Sequence, residues 1–234
     1  MTMFRSRLLR AAGGRRRQPW YVGSNGATDG TQTFQIDALS GGYWSAAAHG
    51  DVVVVASACY TDGAKPTIST AGYTTIADLS QGYVRLIVAY KAMGATPDTQ
   101  VTVANTDRET TRAWVFRGVN VSTPIDATTT TATYSSGAPD GPSITTVTGS
   151  AIVLTICAAL AQGAVPIAPT NPARMVALGS SSSDWSVGAL DNRKLHVDAS
   201  YIAQGVAGSY NPAEWTPNSS IGESCTATVA LRPA

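Results

Sequence analysis

Gly50-Asp51-Val52-Val53-Val54-Val55-Ala56-Ser57-Ala58-Cys59-Tyr60 decides the fold class. A turn pair opens onto four consecutive valines, and β-branched side chains fit a pleated strand better than a helix. The run does not alternate. A short continuous apolar stretch bounded by turn residues predicts a strand covered on both faces. Working outward, Tyr73 to Ile76 is a short strand, and Val84, Leu86, Val88 and Tyr90 alternate with Arg85 and Lys91, which are expected to face water. Val101–Val103 follows, then Arg112 to Arg117 with Trp114 and Phe116 on one side; Gly118 and Pro124 end it.

Much of this pattern occurs twice. Gly149–Ser150 leads into the apolar run Ala151 to Leu160 as Gly50–Asp51 leads into Val52 to Tyr60. Val88–Ala89–Tyr90–Lys91–Ala92 matches Ala199–Ser200–Tyr201–Ile202–Ala203, and Ala113 to Arg117 matches Thr228 to Arg232. Leu195, Val197, Ala199 and Tyr201 alternate with Lys194, His196, Asp198 and Ser200, which puts His196 on a polar face. Similar halves over 34–127 and 143–234 are joined by a Thr/Gly/Pro-rich linker, 128–142. Each half supplies four or five strands, and the expected architecture is all-β: an antiparallel, jelly-roll-like β-sandwich of about ten strands. Two separate small domains are the alternative.

Composition agrees. Of 234 residues 44% are hydrophobic and only 13% charged; Leu, Met, Glu and Lys are scarce, which excludes a helical bundle or coiled coil. No apolar run reaches the length of a membrane-spanning helix, and no membrane partner is expected. Cys59, Cys157 and Cys225 are too dispersed for a disulfide framework or zinc site and are expected to be buried free thiols, with Cys225 facing inward.

Charge is lopsided. Residues 1–17 carry Arg5, Arg7, Arg10, Arg15, Arg16 and Arg17 with no acid, a net of +6. Residues 18–234 carry 10 basic and 15 acidic side chains, a net of −5. Residues 1–33 thus form a basic arm with a partner of its own. A secretory signal is disfavoured by a charge inside a short apolar core, and a mitochondrial presequence fits the Arg-richness. A nucleic-acid arm would neutralise phosphates, but no aromatic repeats among the arginines. A solvated tail is the plain alternative. The favoured reading is an anchor on an acidic protein surface, with the arm arginines and Trp20 as partner-binding residues.

Candidate chemistry is thin. His49 precedes a turn, and His196 beside Asp198 lacks a Gly-x-Ser-x-Gly serine. Asp184, Asp191 and Asp198 share a calcium only if folding gathers them, and no cofactor or metal is expected. Trp20, Tyr21, Tyr43 and Trp44 near the arm, with Trp185, Tyr210 and Trp215 later, are either packed under loops or exposed to stack on sugars or anchor a partner.

Five segments carry a resemblance: Gly50 to Val55; Ala71-Gly72-Tyr73-Thr74-Thr75-Ile76; Val88 to Lys91; Phe116 to Val119 with Thr123-Pro124-Ile125-Asp126-Ala127; and the closing Thr228 to Ala234. In this order the chain, over residues 34–234, resembles β-sandwich modules of phage virion structural proteins, also found in bacterial surface proteins. The resemblance implies a structural or adhesive role with no catalytic residues. The cationic arm looks more like a virion component than a secreted surface protein. The expectation is a non-enzymatic virion protein, a capsid decoration or a tail or head fibre-spike component, held to other virion proteins by its arm. A homo-oligomer is expected, a trimer if it decorates three-fold positions, with a host-surface glycan as a further partner. The alternatives are a carbohydrate-binding or adhesive module of a bacterial surface protein, and a carboxylate hydrolase.

Overall fold

The computed structural model describes residues 18–28, 32–61, 64–104, 109–162, 168–169, 175–184, 193–216 and 221–234. Seventeen strands and no helix occur among them. The first half contributes β1 (Trp20–Thr28), β2 (Gln32–Gln35), β3 (Val52–Tyr60), β4 (Thr67–Ile68), β5 (Thr74–Gln81), β6 (Val84–Ala92), β7 (Gln100–Ala104) and β8 (Glu109–Arg117). The second contributes β9 (Ile125–Tyr134), β10 (Ile144–Thr146), β11 (Ala151–Gln162), β12 (Ala168–Pro169), β13 (Val176–Asp184), β14 (Arg193–Gln204), β15 (Gly208–Tyr210), β16 (Trp215–Thr216) and β17 (Ile221–Leu231).

All pairings between these strands are antiparallel. One five-stranded sheet runs β1-β8-β3-β6-β5 and a second runs β13-β14-β11-β17-β9. Read from the other edge, the second repeats the first, with β9, β17, β11, β14 and β13 standing for β1, β8, β3, β6 and β5. The ladder registers match: Val52 lies between Phe116 and Ala92, and Ile152 between Leu231 and Ala203.

The two large sheets face each other, so each half supplies one wall of a central sandwich. β1 and β8 lie over β13 and β14, and β5 and β6 over β9 and β17, as an approximate two-fold axis along the strands requires. Val52, Val54, Trp114 and Phe116 meet Ile152, Leu154, Val197 and Val229 in the main core. Tyr21, Phe116 and Tyr201 stack across this interface, with centroids 6.0 to 6.2 Å apart.

Outside each large sheet lies a smaller layer. β2-β7-β4 covers the first, burying Phe34, Val101 and Val103 against Val53, Val55, Ala113 and Val115. This is why Val52 to Val55 is uniformly apolar: alternate valines enter two different cores. β10-β15 covers Val153 and Ala230, while Trp215 of β16, which pairs with β12, packs on Cys157 and Ala159.

Four sequence expectations change. Trp20 to Thr28 falls in the stretch assigned to the arm, yet it is the edge strand beside β8; a register shift between Tyr21 and Gly23 and its glycines break the pattern a strand shows in sequence. The stretch assigned to the linker contains β9 up to Tyr134, because a threonine run has strand propensity of its own. The polar side of β14 is not wet: His196 is 3% exposed and Asp198 4%, lying under the outer layer. About ten strands are expected in all; the two large sheets alone hold ten, β1 and β9 among them, and the outer layers, which take in the expected Val101–Val103 strand, add seven short ones.

Candidate docking surface

The isolated bridge between Val119 and Pro233, with the Ala234 N–H donating to the Gly118 carbonyl (2.9 Å), sets the ends of β8 and β17 side by side. Val52, Ile152, Trp20 and Ile125 therefore sit at the same end of the sandwich, here the near end, and the basic stretch 1–17 joins the body there. Tyr60, Tyr83, Tyr134 and Glu223 mark the far end.

A matching ion pair closes each half at the near end. Arg117 donates through Nε (2.7 Å) and its second guanidinium nitrogen (2.8 Å) to fully buried Asp51, which also accepts from the Ala48 N–H (2.8 Å). Arg232, the counterpart of Arg117, donates to Asp126 (3.3 Å), which accepts from the Val147 and Thr148 N–H groups (2.8 and 3.1 Å). The arginine and the turn amides recur, but the carboxylate comes from the foot of β3 in one half and from β9 in the other. Burial raises the Asp126 carboxyl, and the hydrogen bonds from Thr148, Val147 and Arg232 outweigh it and hold the group below its ordinary value.

The rim between β1 and β13 is aromatic. Trp20 and Trp44 have ring centroids 6.2 Å apart and Trp44 and Tyr43 6.0 Å, and the Arg117 guanidinium lies 4.8 Å from the Trp44 ring centroid. The loop presenting Tyr43 and Trp44 is built onto β1. Ser24 and Ser40 exchange backbone hydrogen bonds (2.9 Å each), and the Trp44 N–H donates to the Val22 carbonyl (3.1 Å). Residue 42 has to be glycine, since a Cβ there would stand 2.0 Å from the Val22 oxygen. Beside the loop is a cavity of about 360 Å³ lined by Pro19, Trp20, Tyr43, Val176, Tyr201 and Ala203.

Exposed apolar groups concentrate here. Among the described residues the large hydrophobic side chains left exposed are Tyr43 (82%), Trp44, Val121, Val147, Val176, Val206 and Tyr83. All but Tyr83 lie at the near end. Such clustering marks an interaction surface, whereas scattered exposure does not.

Of the partner-binding residues expected from sequence, Arg5, Arg7, Arg10, Arg15, Arg16 and Arg17 lie outside the described residues. Trp20 is half-buried on the rim. Tyr43 and Trp44 join it, Tyr21 turns into the core, and Trp215 is buried. Trp185 and Asp191 lie outside the described residues. His49 is an exposed turn residue.

Two buried sites carry titratable side chains. Cys157 stands opposite Asp198 on β11 and β14, two residues along the ladder from the Ala159–His196 pair. Burial, reinforced by the Asp198 charge, pushes the Cys157 thiol well above its ordinary value, so it is no thiolate nucleophile at neutral pH. Cys225 is pushed up to about 12, chiefly by burial. Fully buried Glu109 accepts hydrogen bonds from the Ser57 and Thr111 hydroxyls, and burial raises its carboxyl despite them. No group of three or more His, Cys, Asp and Glu side chains that could hold a metal occurs among the described residues. No family model, curated protein or solved structure matches the chain.

Proposed function

We propose that this chain is a non-enzymatic structural protein of a bacteriophage particle, a capsid decoration or a fibre or spike component, attached to neighbouring virion proteins through its near end. The carrying observation is the union at one end of the sandwich of the stretch with six arginines and the exposed aromatic rim. A basic segment steers and orients a partner, while rigid aromatics beside it supply affinity.

The strand order supports a jelly-roll reading of each half. Strands 1-8-3-6 share one sheet and 2-7-4 the other, so the chain crosses between layers again and again, with the fifth strand on the edge of the larger sheet. Jelly rolls serve viral capsids and lectins alike, so the fold alone does not choose between them. Exposed Tyr43 and Trp44 favour a second reading, a carbohydrate-binding or adhesive module of a bacterial surface protein, in which the rings stack on sugar.

Mass spectrometry of gradient-purified particles, with copy number, tests the first reading. Removing residues 1–17 should leave the fold intact and abolish incorporation, and Arg15, Arg16 and Arg17 all changed to Ala should weaken it in a salt-dependent way. Full incorporation of the truncated protein would refute the anchoring role. Sugar binding on a glycan array that is lost in Tyr43→Ala, with no copies in particles, would establish the second reading.

A further inference from the structure

The cavity at the near-end rim is surrounded by donors that no described group uses. Trp20 Nε1 is buried and has no hydrogen-bond partner. The hydroxyls of Tyr43 and Tyr201, which line the same cavity, make no hydrogen bond among the described residues. The two phenols are neighbours: burial, and after it the charge of Tyr43, raises the Tyr201 hydroxyl. No carboxylate lines the cavity, and Gln18 supplies its one side-chain amide. Nearby Asp51 is spent on Arg117 and the Ala48 N–H. Polar groups left unmet in a folded protein call for a reason, and a ligand that brings the missing acceptors is one. The rings around these donors are not a flat platform. Trp20 and Trp44 are tilted by 43° and Tyr43 and Trp44 by 57°, so they stand as ridges with clefts between them. Gly118, with φ of 79°, makes room for the first ridge, since a Cβ there would stand 3.0 Å from the Trp20 ring. Neighbouring ridges are 6.2 and 6.0 Å apart, which matches the rise of two residues in polyproline II, about 6 Å.

We propose that the near-end rim binds a proline-rich segment of a neighbouring protein in the polyproline II conformation, its prolines between the ridges of Trp20, Trp44 and Tyr43 and its carbonyls accepting from Trp20 Nε1 and the Tyr43 and Tyr201 hydroxyls. The two chemistries complement each other. Polyproline II makes no internal hydrogen bonds, so its carbonyls are free acceptors, and proline brings no N–H that would need an acceptor from the cavity. Such a segment is already held in its bound form and loses little freedom on docking against aromatic ridges. A sugar fits less well, because its hydroxyls donate as well as accept and its ring stacks on a flat aromatic face. The proposal names the partner chemistry of the near end and rests, for the identity of the neighbour, on the reading of that end as the surface attached to other virion proteins.

The test titrates the full chain with decaproline, with a Gly/Ser peptide of equal length and with cellohexaose, following the tryptophan indole N–H signals by NMR. The chain has five tryptophans, so the Trp20 signal is assigned by its absence in Trp20→Phe. Decaproline should shift that signal saturably, with a dissociation constant of about 1 mM or tighter, and the Gly/Ser peptide should leave it in place. Tyr43→Ala removes an exposed ring, so it should fold as wild type and weaken binding about 5-fold or more. Tyr201→Phe keeps the ring stacked on Tyr21 and Phe116 and removes only the hydroxyl, which should weaken binding about 2- to 10-fold. No saturable shift with decaproline at millimolar concentration overturns the proposal, as does an equal response to the Gly/Ser peptide or a response indifferent to Tyr43→Ala. Saturable binding of cellohexaose with decaproline inert also overturns it and favours the carbohydrate reading. Particle incorporation separates the two ideas. If decaproline fails while removal of residues 1–17 still abolishes incorporation, the proline-rich partner falls and the anchoring reading stands. If decaproline binds while purified particles contain no copies, the binding site stands and the virion reading falls.

Discussion

Ser150 and Gly50 occupy equivalent turn positions before the central strands, and both have left-handed backbone, with φ of 66° and 83°. Ser150 is the one residue other than glycine with positive φ among those described. A side chain in that region costs about 1–2 kcal/mol, because Cβ crowds the following carbonyl. Replacing Ser150 by Gly removes this strain but returns about 0.4–1 kcal/mol of unfolded-chain freedom. The net expectation for Ser150→Gly is a gain of about 0.5–1 kcal/mol. At this chain length that raises the thermal midpoint by about 1–4 °C. Gly50→Ala is the reciprocal experiment, and a clean one, since a Cβ at residue 50 meets nothing within 4 Å. Only the backbone term acts there, and a loss of about 1 kcal/mol follows. Urea titrations with unchanged slopes would measure both. A neutral Gly50→Ala, or a destabilising Ser150→Gly, would refute the assignment of strain and the equivalence of the two turns.

Three further outcomes follow. Asp126, held below its ordinary value, contributes stability that is present above about pH 4 and disappears as pH falls through its folded value, so Asp126→Asn should lower the urea midpoint at pH 6 and converge on wild type at acid pH. Glu109 has the opposite sign: its raised carboxyl favours the protonated folded state, and stability declines as pH climbs from about 4 through the folded value. Glu109→Gln should therefore match wild type at pH 4 and exceed it at pH 8, and equal curves at both would show that the buried group is not strained by ionisation. Trp114→Ala, at a fully buried position in the main core, should cost about 3–5 kcal/mol, as read by the same titrations.

The central strands were legible because covering both faces forces a signal that survives without context: Val52 to Val55 and Ala151 to Leu160 have almost nothing but apolar residues to show. Edge strands leave less trace. β1 carries two glycines and a bulge, and β9 presents threonines to water on one side, so both read as connecting chain. The polar side chains of β14 mislead for another reason. Alternation reports which side chains share a face, but not whether a second layer lies over it, and the residues that cover His196 and Asp198 come from distant segments. The docking surface was half legible. Tyr43 and Trp44 stand out as aromatics near the arm, but their exposure depends on Gly42 seating the loop against Val22, a contact that no local pattern announces.

Because each half contributes one wall of the central sandwich, the molecule has no independent half. During synthesis the first sheet exposes Val52, Val54, Trp114 and Phe116 until Leu231, more than a hundred residues later, has left the ribosome. Contacts of such sequence separation form slowly. The first half therefore spends that interval as a sticky nascent surface needing protection from its neighbours on the polysome. Separately expressed fragments ending and starting within residues 120–124 should each aggregate, yet reconstitute the sandwich when refolded together. The peptide link between the halves then sets the effective concentration at which one wall finds the other, and cutting it trades a fast intramolecular search for one governed by dilution.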